Sequence, residues 1–331
     1  MKRRDFITGL LLASATQSVR AQEPTKQHRI AIVIAAGPVA SINDPASRVW
    51  QPFWEELRRL GDFKGQNLAV EGYSGGGQPA GYADLSREVV SRNPDLIVAI
   101  SPPIAQAVGA ATGTIPIVAS GGYAGLPSLA RPGGNITGIG VDVGFEIYGK
   151  RLQILKEAVP SASKVAVLDM RSEWESANGQ QRREELRKAS QLLEITSTGP
   201  LLEESTPSEY QRVFAQIAQD RSDAIMVMGS GELFAHRQLI VELIEKSRLP
   251  AIYAWRAYVE AGGLMAYGTD FPELWRRLAD DVHQILNGAK PGDIPIYQPT
   301  KFESLIYLKA AKALGLNIPP ALLATADEVI E

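Results

Sequence analysis

The stretch Arg29-Ile30-Ala31-Ile32-Val33-Ile34, closed by Gly37-Pro38, decides the fold. Its apolar residues run on without alternation, the pattern of a parallel strand covered on both faces. Reading outward, Trp50, Phe53, Trp54, Leu57 and Leu60 recur at helical spacing, and Gly61 stops that helix. The apolar face so defined places Trp50 and Trp54 in a core. A short strand over 68–72 and the turn Gly75-Gly76-Gly77 precede a second helix marked by Tyr82, Leu85, Val89 and Val90. Buried strands follow at Leu96-Ile97-Val98-Ala99-Ile100 and Ile115-Pro116-Ile117-Val118-Ala119. Strand and helix alternate as in a doubly wound parallel sheet.

The pattern then starts again with Lys164-Val165-Ala166-Val167-Leu168-Asp169. Helices over 180–193, 208–219 and 233–246 alternate with strands at Ala224-Ile225-Met226-Val227, Pro250-Ala251-Ile252-Tyr253 and Gly263-Leu264-Met265-Ala266-Tyr267. Two such series in one α/β chain predict two doubly wound lobes with a crevice between them. Ligands of open α/β sheets sit beyond the carboxyl ends of the strands, so two facing ends make one site.

Residue 1 opens a different kind of segment. Lys2, Arg3 and Arg4 precede an uncharged stretch over 6–18, and Val19-Arg20-Ala21 offers a signal peptidase short side chains where it inspects them. This reads as a signal peptide over 1–21, cleaved after Ala21, in a periplasmic protein. The apolar run is shorter than the ~20 residues a spanning helix needs. Lys2-Arg3-Arg4-Asp5-Phe6-Ile7 has the twin-arginine form used to export folded proteins, with an ordinary secretory signal as the alternative. Without 1–21 the chain keeps 30 basic and 36 acidic residues, a balance that repels phosphate backbones and disfavours nucleic acid as a partner. There is no cysteine, so the core alone must hold an exported fold. With 331 residues, 45% of them hydrophobic, two domains are expected.

Enzyme readings fare poorly. The first strand lacks the G-x-G-x-x-G that seats a pyrophosphate, and no G-x-S-x-G elbow occurs. His28, His236 and His283 fall on separate segments, which argues against zinc. Adjacent acids such as Glu55-Glu56 and Glu203-Glu204 point different ways on a helix. No catalysis, cofactor or metal is expected, and a small-molecule ligand is.

Strand ends supply the candidate contacts. In the first lobe these are Gly37, Ser101, Ser120, Gly122 and Tyr123. Ser101 before Pro102-Pro103 suits a helix start whose N–H groups attract a carboxylate. In the second lobe they are Asp169, Arg171, Gly229, Ser230, Tyr253 and Trp255. Arg171 offers a fork for a carboxylate, Asp169 a partner for an amine, and Tyr253 and Trp255 flat faces. Asn135, after Gly133-Gly134, is expected to pin its turn. Thr137, Gly138, Gly140 and Gly268 stand where the two series meet and are the expected hinge.

Longer motifs resemble one family. They include Lys64-Gly65-Gln66-Asn67, Ser128-Leu129-Ala130-Arg131-Pro132-Gly133-Gly134-Asn135-Ile136-Thr137-Gly138 and Ala261-Gly262-Gly263-Leu264-Met265-Ala266-Tyr267-Gly268. Gly288-Ala289-Lys290-Pro291, Gln298-Pro299-Thr300-Lys301-Phe302-Glu303 and Ala326-Asp327-Glu328-Val329-Ile330-Glu331 belong with them. The chain resembles, along nearly its whole length, the substrate-binding proteins of ABC transporters related to the tryptophan/tyrosine-binding group. The resemblance implies a type I periplasmic-binding-protein fold with a three-crossover hinge, near 137–142, 266–270 and 295–301. Lobe one is then 28–138 plus 267–297 and lobe two 139–266 plus 298–331. It also implies a permease as partner, and a monomer is expected because a clamp needs no second copy to work; a sensor presenting its ligand to a membrane receptor uses the same fold. Where the family commonly carries Asp-Pro, this chain has Gly121-Gly122-Tyr123, so a family contact to an amine or hydroxyl is missing. The ligand expected is an aromatic or short-chain carboxylate, with an aromatic amino acid as the second choice.

Overall fold

A computed structural model describes residues 27–331 apart from 46, 48, 122, 124, 125, 142 and 143. The leader over 1–21 therefore lies outside the described residues, as does Gly122. The first sheet holds β1 (His28–Ile34), β2 (Leu68–Ser74), β3 (Leu96–Ile100), β4 (Ile117–Ser120) and β5 (Ile136–Ile139), in the order β2-β1-β3-β4-β5 and all parallel. The second holds β6 (Lys164–Leu168), β7 (Thr196–Thr198), β8 (Ala224–Val227), β9 (Ala251–Tyr253), β10 (Met265–Thr269), β11 (Phe302–Tyr307) and β12 (Glu328–Ile330). Their order is β12-β11-β10-β9-β8-β6-β7.

The unbroken apolar run of β1 has a direct physical cause. Ile30, Ile32 and Ile34 enter one core, shared with Phe53, Leu57, Leu274 and Leu278, while Ala31 and Val33 enter another with Val89, Ile104 and Val108. Successive side chains of a strand point to opposite faces, so both faces of this sheet are dry. The helix Phe271–Leu286 packs on the first sheet although its sequence follows the second.

Three details depart from the sequence reading. β11 runs antiparallel to β10, because the chain re-enters the second sheet after its excursion to the first lobe. The helix expected over 233–246 is two helices, Gly231–Ala235 and Arg237–Ser247, broken at His236 (φ −106°, ψ 20°), whose ring packs against Tyr210 at 5.3 Å. β10 stays in the second sheet as far as Thr269, so 267–269 belong with lobe two.

The three connections between sheets run side by side. Gly140 donates its N–H to Tyr297 at 2.7 Å, and Tyr297 donates to the Gly138 carbonyl at 2.9 Å. Thr137 Oγ1 donates to the Ile294 carbonyl at 2.8 Å, and Thr269 Oγ1 to the Val141 carbonyl at 3.1 Å. Asn135 donates to the carbonyls of Thr112 and Ile115, holding the turn before β5. No helix among the described residues is long and apolar enough to cross a membrane.

Candidate functional site

A cavity of about 690 Å³ lies between the carboxyl ends of the two sheets. Its volume falls in the usual range for small-molecule sites. Gly37, Ser101, Ser120 and Tyr123 line it from the first lobe, and Gly229, Ser230 and Trp255 from the second. Asp169, Arg171 and Tyr253 do not line it. Arg171 projects to the surface, where Nε meets Glu203 at 2.7 Å and Nη1 meets Glu175 at 2.9 Å. Tyr253 is buried in the second core, stacked on Tyr258 at 5.0 Å. Asp169 is fully buried behind the wall, 3.6 Å from Arg182.

Ser101 does not behave as a capping serine. Its hydroxyl makes no cap hydrogen bond and is buried without a partner among the described residues, and its backbone stands at φ 102°, ψ 148°. That region is sparsely populated by any residue but glycine, and such strain gathers at ligand sites. The first two helical residues, Pro102 and Pro103, also carry no N–H, so this helix start is a poorer anion seat than a Ser cap suggests. Ser230 does cap its helix, accepting from Leu233 N at 3.1 Å. The Tyr123 hydroxyl donates to the Ala119 carbonyl, with the Ile139 carbonyl at 3.0 Å, and so fixes its ring against the end of the first sheet. Burial pushes the Tyr123 phenol well above its ordinary pKa, keeping it a donor.

The remainder of the wall comes from residues the sequence reading left in cores or passed over. Phe234 stacks on Phe271 at 5.5 Å, Phe271 on Trp275 at 4.8 Å, and Trp275 meets Trp50 edge-on at 6.0 Å. Trp255 abuts Phe271 at 4.8 Å. These rings form one aromatic surface reaching from the second lobe, across the crossover at Phe271, into the first. Trp50 is thus both core and wall. Periodicity alone cannot separate these two roles for a ring on an apolar helix face.

Among the described residues two cations line the cavity. Arg182 is buried and committed: Nη2 lies 2.9 Å from Glu173 Oε2, Nη1 lies 3.6 Å from Asp169, and the guanidinium stands over the Tyr148 ring. Arg237 is half-buried over the Phe234 ring at 4.8 Å and makes no ion pair among the described residues. It is the first residue of the helix Arg237–Ser247, directly after the break at His236.

The lobes also touch beyond the cavity. Ser205 donates its N–H to the Gly77 carbonyl at 2.8 Å, and the Tyr82 hydroxyl of the first lobe lies 2.9 Å from Glu232 Oε1 of the second.

Two doubly wound lobes, three adjacent crossovers and an interlobe cavity define a two-lobed binding protein. Residues 39–330 match the model of the family described as ABC transporter substrate binding protein, and the chain belongs to that family. The family binds solutes outside the cytoplasm and is not one of enzymes. A tyrosine-binding protein of Clostridioides difficile is 26% identical over 270 residues, 80% of this chain and 76% of the other. Among solved structures, a conserved domain protein from Vibrio cholerae has a TM-score of 0.79 at 26% identity, covering 92% of this chain and all of its own. An ABC domain from Streptococcus pneumonia in complex with L-Trp has a TM-score of 0.77 at 23% identity, with the same coverage.

Proposed function

We propose that this protein, freed of residues 1–21, works as a periplasmic monomer that carries an aromatic carboxylate to an inner-membrane ABC permease. The observation that carries the ligand class is Arg237, a cavity-lining guanidinium without a carboxylate partner among the described residues, set against the aromatic surface of Phe234, Phe271 and Trp275. A guanidinium matches a carboxylate in bidentate fashion, and the rings suit a flat apolar body. Arg171 was the expected partner from sequence; Arg237 takes that role here because Arg171 is occupied at the surface. The tyrosine-binding relative favours an aromatic amino acid over an acid without the amine.

Calorimetric titration of the unfolded and refolded protein with L-tyrosine, L-tryptophan, 4-hydroxyphenylacetate and a neutral hexose tests the assignment. At least one aromatic carboxylate should bind and the sugar should not. Arg237→Gln should weaken the best of them about 10- to 100-fold, the effect of losing one charged hydrogen-bonding partner, while leaving the melting temperature unchanged. Unaltered affinity in that variant removes the carboxylate from this end of the cavity. Intact-mass analysis of protein from its native host should give a chain beginning at Gln22, and a chain retaining Met1 would refute export by this leader.

A further inference from the structure

Glu232 is fully buried at the seam between the lobes, and the hydrogens around it do not suffice for an ionised carboxylate. The Tyr82 hydroxyl has one hydrogen but two acceptors in reach, Glu232 Oε1 at 2.9 Å and the Ala35 carbonyl at 3.2 Å. Glu232 Oε2 is buried and makes no hydrogen bond among the described residues, and the one further donor close to the carboxyl is the backbone N–H of Glu232 itself. An ionised Glu232 would compete with Ala35 for the phenol hydrogen and be left with little besides its own backbone N–H, Oε2 without a hydrogen bond. A protonated Glu232 donates to Tyr82 Oη, and Tyr82 then donates to Ala35, so every buried oxygen but a carboxylic one is served. Burying an unsatisfied charged oxygen is much the costlier arrangement.

The geometry points to a proton taken up by Glu232 as the lobes close, so that ligand capture in this protein is proton-coupled. The inference rests on reading the two lobes as a clamp that opens to admit ligand. Facing Glu232 are Tyr82 from the first lobe, Glu173 and Asp169 from beyond β6, and Tyr210 from the helix Pro207–Gln219. Arg182 pairs with Glu173 and Asp169, and His236 lies against Tyr210 with its pKa lowered by burial. Burial first, and then repulsion from Glu173, raises the Glu232 pKa to about 7 in this closed arrangement. Burial also lifts the Tyr82 phenol well above its ordinary range, so Tyr82 keeps its hydrogen.

When the lobes part, Tyr82 and Gly77 leave, the Glu232 carboxyl regains water and its pKa falls back towards the ordinary carboxylate value. The sign follows from that difference. A carboxyl whose pKa is higher closed than open favours closure fully below about 4.5, and the advantage is lost as pH rises towards about 7. Above that pH the closed form bears a constant penalty.

The chain has no cysteine, so Glu88→Cys and Gln211→Cys place two spin labels on exposed helix positions of opposite lobes without background. Pulsed electron resonance of the ligand-free protein from pH 4.5 to 8 then counts open and closed forms. The closed-to-open ratio should fall by up to about tenfold per pH unit between 4.5 and 7. Glu232→Gln should flatten this profile, because its amide donates to Tyr82 at every pH. Tyr82→Phe should lower the closed fraction throughout while keeping the slope. A flat profile in the parent chain, or a slope that survives in Glu232→Gln, overturns the proposal. Failure of L-tyrosine and the other probes to bind while the slope persists would count against the ligand assignment alone.

Discussion

Arg182→Met is expected to lower the stability of the fold by about 3–5 kcal/mol, the cost typical of breaking a buried ion pair by removing one member. Arg182 is 4% exposed, and its guanidinium reaches both the carboxylate and the backbone carbonyl of Glu173, at 2.9 and 2.6 Å. The same group approaches Asp169 and covers the face of Tyr148. A thioether of similar length fills the space but offers those oxygens nothing. Total stabilities of such domains are about 5–15 kcal/mol, so the variant should be close to unfolding at 37 °C. Arg182→Lys keeps the charge without the fork and should fall between the two. Urea unfolding followed by circular dichroism decides it, and a loss under 1 kcal/mol would mean the network is merely tolerated.

A comparable loss, about 2–5 kcal/mol, is expected for Gly138→Ala. Gly138 sits in β5 paired with Ala119 at φ 135°, a conformation that L side chains rarely adopt. A Cβ there would stand 2.0 Å from the Ala119 carbonyl oxygen and 2.7 Å from the Tyr123 hydroxyl. Backbone strain of about 1–3 kcal/mol and overpacking of similar size combine to give that range. Because β5 leads into the first crossover, the variant should also lose ligand affinity, which thermal shift with and without ligand will separate from unfolding. Gly268 poses the same problem, with a Cβ only 1.8 Å from the Ala254 carbonyl. Read from sequence, both glycines offer backbone freedom at a hinge. In the fold they offer the absence of a side chain where two strands leave no room. Gly140 differs, since only the Gln298 side chain, which can move, crowds it.

Strands buried on both faces announce themselves, which is why the runs at Ile30–34 and Val165–168 could be read as parallel strands before any coordinates. Strand direction leaves no such trace, so the reversal of β11 was invisible. Glycine and serine directly after a strand were also legible as cavity residues, because in an open α/β sheet that position alone points to the crevice. Helix residues were not. Arg171 lies in the single helical turn after β6 yet faces water, whereas Arg182, inside the helix Ala177–Leu193, and Arg237, at the start of the helix Arg237–Ser247, reach the wall through packing of whole elements. Trp275 shows the same limit, since an aromatic residue early in an amphipathic helix looks like core whether or not a cavity opens beside it.

The interleaving of the chain has a consequence for the order of its synthesis. One face of the first sheet, with Ile32, Val98 and Val118, is completed by Leu274, Leu278 and Val282, which are made after most of the second lobe. The second sheet in turn waits for β11 and β12. A nascent chain ending between Leu168 and Thr269 therefore carries two unfinished cores at once. Contacts this distant in sequence form slowly, and transiently bare sheets are prone to aggregate. Completion of both lobes thus waits for the residues beyond Thr269, and a holding chaperone has more to protect here than in a chain whose lobes follow one another as separate beads.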